Sequence, residues 1–436
     1  MRVAVASERP ETDPLLADAP VDAALVRMTT QPVCSLEAPH RLRPTLTADI
    51  SVHGDAQLVI AILPGRKFAN GAAITARDVA SSWSRAAQPA ASSPYRALLF
   101  PIRGEGRRLS AGTSSRSIEL PLSFPWPDLA TSLCHPALGI VPPSGPAAAG
   151  LGPFTPARAP GTYEANLSFP IGRPFADRLA VAFTDERGIA RLWVLKQAQI
   201  ALGISDERYS ISAAALYATY LVFNPAKTGA EFRQAFESVI DHGDLSRSFV
   251  RSPSTPMHAL LPPSLMPQDA PPRPGPPAIA APRQLALAFD QSLPDQRSVA
   301  ERIQVKLHEL KYKVSLRPLP RSKLRTLWAS GGYDLMLHAV LLPPTPAAAL
   351  SLAIEASGRH ELLSAELPPL GAIANDAERD AAARERAKAL AGSLPSIPLY
   401  AQALGAVASE EIKGLHADAQ GLPALDDAFI ATEAPP

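Results

Sequence analysis

Apolar and polar positions alternate through residues 1–7 (MRVAVAS), the period-two pattern of a half-buried strand, and an acidic, proline-rich loop stops it. Similar β-prone runs predict strands over 57–63 (QLVIAIL), 117–124 (SIELPLSF), 162–169 (TYEANLSF) and 217–223 (YATYLVF). Pro64-Gly65 closes the first of these, and Pro125 and Pro127 close the second. Helical spacing appears between them. Residues 21–33 suit a short helix, and Thr75 suits the N-cap of a helix over 76–85, with Asp78 placed as in a capping box. Val79, Trp83 and Ala86 recur on one face of that helix, which assigns Trp83 to the core rather than to a ligand. Residues 186–201 and 231–240 read as further helices, the second stopping near His242-Gly243, and a loop covers 141–161 with a tight turn at Gly150, Gly152 and Pro153.

Prolines crowd together over 252–284, which predicts a crossing with little regular structure. Strand, helix, strand, helix and strand then follow over 285–290, 295–310, 312–317, 321–330 and 333–340. That alternation predicts a βαβ lobe with a mainly parallel sheet. Residues 376–392 form an alanine-rich helix, with Asp376 and Glu378 near its start and Lys388 near its end, as the helix dipole prefers. No internal repeat is visible.

Length and composition narrow the class. At 436 residues the chain exceeds one ordinary core, so two or three domains are expected. A hydrophobic share of 46% and a charged share of 19% suit a globular protein. Forty-two basic and 41 acidic side chains nearly cancel, so nothing here is built as an electrostatic trap for nucleic acid or a membrane surface. No stretch approaches the ~20 apolar residues of a membrane-spanning helix. The first residues also lack the basic and apolar regions of a signal peptide, which leaves a cytoplasmic protein or a mature form whose export signal has been removed. Cys34 and Cys134 could bridge in an exported protein, but nothing in the pattern sets them side by side, and free thiols are expected.

Motifs for catalysis are missing. There is no GxGxxG or Walker A loop for phosphates, no HExxH or CxxC set for a metal, and no GxSxG or SxxK arrangement for serine acylation. The expectation is a protein that is not an enzyme and that uses no metal or other cofactor.

Several segments, in order, resemble the family 5 extracellular solute-binding proteins, the dipeptide-, oligopeptide- and nickel-binding components of ABC importers. KFANGAAITARDVASSWSRA at 67–86 is similar to that family's F-x-x-G-x-x-(L/I)-T-A-x-D-V signature, with Phe68, Gly71, Thr75, Ala76, Asp78 and Val79 in place. RVAVASERPETDPLL resembles its first strand and "DP" loop, and RLRPTLTADI the segment after it. GLGPFTP at 150–156 is close to the G-T-G-P turn, with Leu151 replacing the threonine, and IGRPFADRLAV resembles a strand entry. Phe223-Asn224, Arg233-Gln234-Ala235 and Ile240-Asp241 match an F-N, R-Q-A and I-D series, and SLPSIPLY a returning strand.

The resemblance implies an α/β, two-lobed periplasmic-binding-protein fold of type II with an extra subdomain inserted in the first lobe. Lobe I would take residues 1–254, with the insertion at about 45–165, lobe II 255–394, and residues 395–436 would complete lobe I. It also implies a small-molecule ligand between the lobes, an ABC importer permease as partner, a periplasmic or extracytoplasmic location, and a monomer.

Departures from the family bear on the ligand. Pro343 stands where peptide-binding members place an aspartate for the peptide ammonium, and Trp328 and Leu337 stand where some carry arginines for the carboxylate. A zwitterionic peptide would leave charged ends unpaired there, so a non-peptide, partly apolar ligand is expected. The candidate ligand-binding residues are Trp328, His338, Val340, Leu341 and Leu342 on lobe II and Asp18 on lobe I. Each also has a plainer role: a strand end in the core for Val340 to Leu342, helix-face core for Trp328, a satisfied core imidazole for His338 and a solvated loop acid for Asp18. Two rival functions stay open, a scaffold of this fold that works by docking another protein, and an enzyme.

Overall fold

Two six-stranded sheets organise the chain, as seen in a computed structural model that describes all residues except 8–9, 54–56, 105–111, 114–115, 144–149, 207, 209, 212, 230, 278–283 and 432–436. The first sheet is built on the strand Arg2–Ala6, whose Val3, Ala4 and Val5 are buried. It runs parallel to Arg178–Thr184 on one side and Ile200–Leu202 on the other. Antiparallel strands at Thr162–Ala165, Phe154–Pro156 and Ala406–Ala408 complete it. A separate four-stranded antiparallel sheet lies within residues 47–121 and includes Gln57–Ile62 and Ser117–Pro121.

The second sheet centres on Tyr217–Phe223, a strand buried at every position and antiparallel to both Leu335–Leu341 and Ser396–Gln402. Gln284–Asp290 runs parallel to Lys313–Leu319 and to Leu335–Leu341, the crossovers being the helices Pro294–Glu309 and Arg321–Ala329. Only the 284–341 segment is therefore parallel, and the sheet as a whole is mixed rather than mainly parallel. The strand Tyr217–Phe223 is apolar except for Thr219 and buried at every position, as suits a central strand covered on both faces. The chain passes between the sheets after Leu202 and again before Ala406, not at 254 and 395.

Local signals explain the helices. The helix Ala76–Ala87 starts at a capping box in which the Thr75 amide donates to the Asp78 carboxylate at 2.8 Å, and Trp83 is fully buried beneath it. The predicted helix at 186–201 stops at Val194, because Lys196 takes a left-handed conformation with φ 56° and Ile200–Leu202 is captured by the first sheet. A helix at Pro346–Ala356 has no counterpart in the sequence reading. It is buried all round, so it lacks the amphipathic period that marks a surface helix. Gly152 has a packing reason: its amide donates to Thr29 O at 3.0 Å, and a Cβ there would lie 2.3 Å from Met28 O.

Cys34 and Cys134 form a disulfide with their Cα atoms 4.7 Å apart, contrary to the free thiols expected. The bridge joins the start of the hairpin strand Cys34–Ala38 to the residue that caps the helix Leu129–Leu133. The bridge does not join two adjacent strands, since only Cys34 lies on a strand.

Candidate functional site

A small cavity lies between the segment that follows the first strand and the face of the second sheet. Asp18 comes from the first unit, and Arg321, Arg325 and Trp328 come from the helix Arg321–Ala329 of the second. Successive turns of that helix place both guanidinium groups on the same side. The Nε of Arg325 donates to Asp18 at 2.5 Å, its Nη2 also reaches Asp18, and Nη2 donates to the carbonyl of Leu15 at 2.6 Å. Arg321 is shared: its Nε donates to Asp290 at 2.8 Å and its Nη1 to Asp22. Arginine and aspartate therefore tie the two units together across the cavity.

Burial shapes the protonation of this cluster. Desolvation opposes the charge on Arg325, but Asp18 outweighs it and raises the guanidinium pKa. Asp22 is pushed up by burial, against the pull of Arg321. Burial also raises the phenol of Tyr217, which lines the cavity and stays neutral.

Asp18, Trp328 and His338 all line this cavity. The rings of Trp328 and His338 lie 5.0 Å apart, and both side chains donate to the carbonyl of Ala356, from Nε1 at 3.3 Å and from Nδ1 at 2.9 Å. Burial lowers the His338 pKa, so the imidazole is neutral and its Nε2 is left as an acceptor. Val340, Leu341 and Leu342 do not line the cavity. They are buried at the strand end, where the Leu341 carbonyl accepts from His135 at 3.0 Å and the Leu341 amide approaches the Tyr95 hydroxyl at 3.5 Å. Those contacts come from the 94–138 region, which covers this end of the strand. A second tie is the ion pair of Arg96 with the buried Glu355 at 2.7 Å.

Sequence reasoning missed Arg321, Arg325, Asp22 and Asp290. On an amphipathic helix such arginines look like its solvated face. Their four-residue spacing toward one side was the available signal. Leu324 and Leu337 supply apolar wall beside them, and the enclosed volume is about 20 Å³, room for a single water.

Comparisons with known proteins agree on the fold. No curated protein sequence matches the chain. Among solved structures, the Escherichia coli murein tripeptide binding protein MppA superposes with a TM-score of 0.78 at 14% identity, covering 99% of this chain and 98% of that one. The unliganded open form of MppA gives 0.63 at 14% identity, with 99% and 97% covered. AgaA of Agrobacterium tumefaciens R10, in complex with agropinic acid, gives 0.76 at 15% identity, with 100% and 99% covered. The two-lobed periplasmic-binding-protein fold is thus established. The profile of the bacterial extracellular solute-binding proteins, family 5 (middle), matches residues 41–358, well over half of the chain. This chain belongs to family 5 of the bacterial extracellular solute-binding proteins.

Proposed function

We propose that this protein captures a small non-peptide solute between its lobes and delivers it to the permease of an ABC importer, working as a monomer outside the cytoplasm. The ligand pairs an apolar body with one acidic group. The observation that carries this reading is the pair Arg321 and Arg325, one turn apart in the wall of the interlobe cavity and each held by aspartate. A buried guanidinium needs an acceptor, and a planar carboxylate is its best bidentate partner. A ligand carboxylate can take the place of Asp18 or Asp22 as the lobes open and close again. Trp328, Leu324 and Leu337 then receive the apolar part.

A peptide is a poorer match. Asp18, Asp22 and Asp290 are each committed to an arginine, so none is spare for an ammonium, and Pro343 offers no charge. That AgaA, with this fold, is seen with agropinic acid supports a non-peptide acid as the kind of ligand the fold can hold. The disulfide suits an oxidising compartment and supports export.

Calorimetric titration tests the proposal with three panels: aliphatic and aromatic carboxylates, their amides, and di- and tripeptides. At least one carboxylate should bind with micromolar affinity, its amide at least tenfold more weakly, and Arg325→Met should abolish binding. Tight binding of peptides, or no carboxylate binding at all, would sink it.

A second reading is a scaffold of this fold that docks another protein. The 20 Å³ volume favours it, as do the polar ties of His135 to Leu341 and Arg96 to Glu355. Native mass spectrometry of the protein purified from its own source separates the two: a small bound mass supports the first reading, a bound protein the second.

A further inference from the structure

A second cavity, of about 230 Å³, lies in the first lobe and shares no lining residue with the interlobe cavity. The helix Pro20–Thr29 connects them, with Asp22 near one end bound to Arg321 and Arg27 in its last turn facing the second cavity. The other walls are the hairpin that the disulfide anchors, the 169–171 loop and the 416–427 loop. For scale, an apolar cavity of ~150 Å³ admits benzene. The space is therefore right for a molecule of amino-acid size.

Charge on the walls is unevenly committed. Arg27 forms an ion pair with Asp418, whose carboxylate also accepts from the amides of Gln420 and Leu422 at 2.9 Å each. Glu37 is engaged by Arg41 at 2.6 Å. Among the described residues, Arg43 and Asp426 form no ion pair within 4 Å and Asp427 makes a long contact of 3.9 Å with His416, while both aspartates lie near enough to the buried Arg27 to support its charge. One cation without an ion-pair partner, Arg43, thus shares the cavity with two acids that lie near Arg27 but form no short ion pair with it, and Phe169 and Ile171 add apolar surface.

The floor of the cavity continues beneath the Arg27–Asp418 pair. A smaller pocket there shares Arg27, Gln31, Ser35 and Asp418 with the larger cavity. Gln420 lines it at 4% exposure, and its Nε2 has no hydrogen-bond partner. A buried amide donor left unmatched is costly, and a pocket of about 10 Å³ has room for no more than a single water to answer it.

We propose that this cavity is a second binding site, separate from the interlobe cleft, for a free zwitterionic amino acid. The carboxylate meets Arg43, the ammonium meets Asp426 and Asp427, and the side chain lies toward Phe169 and Ile171. Neither a simple anion nor a simple cation satisfies both walls, because each leaves one of the two charges desolvated without a partner.

The test is calorimetry on the full disulfide-bonded protein with the twenty L-amino acids, then with the N-acetyl and amide derivatives of the tightest. An amino acid should bind at millimolar affinity or better, and loss of either ligand charge should weaken it at least tenfold. Arg43→Gln and Asp426→Asn should each weaken it tenfold or more, while Arg325→Met should leave it unchanged. The derivative series on the wild-type protein decides the matter even where a variant folds poorly. No binding by any of the twenty, equal binding of the derivatives, or loss in Arg325→Met alone would overturn the proposal. The last result would move the amino acid to the interlobe cavity.

Discussion

Arg325 is 6% exposed, and its guanidinium has Asp18 and the Leu15 carbonyl as acceptors. Removing one member of such a pair leaves a buried charge, at a cost of about 3–5 kcal/mol, whereas replacing both with neutral groups is often harmless. Asp18→Asn should therefore lower the urea midpoint sharply, and Asp18→Asn with Arg325→Met should recover most of the loss. A single variant as stable as the wild type would show that the pair is solvated. His40 offers a separate test at the same scale. It sits in the turn of the hairpin with φ 60°, and hydrogen bonds to Asp128 and then Asp380 raise its pKa from 6.5 to about 10, against the opposing effect of burial. Asp376 and Arg379 complete the surroundings, Arg379 pairing with Asp128 at 3.0 Å. A raised folded-state pKa gives stability that is complete below the unfolded value near 6.5 and is lost as pH rises through about 10. Urea stability should thus decline over that window in the wild type and much less in His40→Gln; parallel curves would place the alkaline loss elsewhere. Individual residues were the least legible part of the sequence. Trp83 was readable as core because its helix has a clear apolar face, and Asp18, Trp328 and His338 were reachable through the family resemblance. Arg321 and Arg325 were not, because their partners Asp22, Asp290 and Asp18 lie about 30 and 300 positions away along the chain.

Most helices and strands were legible, since period and capping are local properties. The capping box at Thr75 and Asp78 starts its helix where the residues say it should, and the strand–helix alternation from 284 to 341 lies within a few residues of expectation. What local pattern cannot give is the pairing of distant elements. The sheet is mixed because Tyr217–Phe223 and Ser396–Gln402 enter it from far along the chain, and the disulfide spans a separation of 100 residues for the same reason. That long loop makes the bridge consequential. Closing about 100 residues removes roughly 4.7 kcal/mol of denatured-state entropy in the chain-entropy model, and measured losses on removing a native disulfide are typically 2–5 kcal/mol. Replacing Cys34 and Cys134 together by alanine should lower the unfolding free energy by about that amount. Equilibrium denaturation measures it, and the intact protein should weigh two mass units less than its reduced form. A double variant as stable as the parent, or a parent at the reduced mass, would exclude the bridge.

At the scale of the whole molecule, the interlobe cavity raises a question of equilibrium. If the two lobes open and close, a ligand moves that balance only through contacts it makes in one state and not the other. Here the chain already has contacts of this kind of its own: Arg325 with Asp18, Arg321 with Asp22, His135 with the Leu341 carbonyl and Arg96 with Glu355. Each joins a group from the first 138 residues to one from the helix Arg321–Ala329, the strand Leu335–Leu341 or the helix Pro346–Ala356. A ligand that binds by replacing Asp18 or Asp22 breaks one tie to make another, so its net effect on closure is small while its effect on stability follows its own affinity. The protein without ligand should then already be closed. A compact chain of this length has a radius of gyration of about 22 Å, and small-angle scattering of the wild type should lie near that value at the mass of a monomer. Arg321→Ala with Arg325→Ala removes the two aspartate ties together, and the radius should rise while the circular dichroism spectrum stays the same. Adding the carboxylate that binds the wild type should not close that variant again, because the guanidinium groups it would bridge are gone. An open wild type that closes only on adding ligand would show instead that the aspartates hold the arginines too weakly to act as a latch, and that the ligand supplies the closing contacts itself.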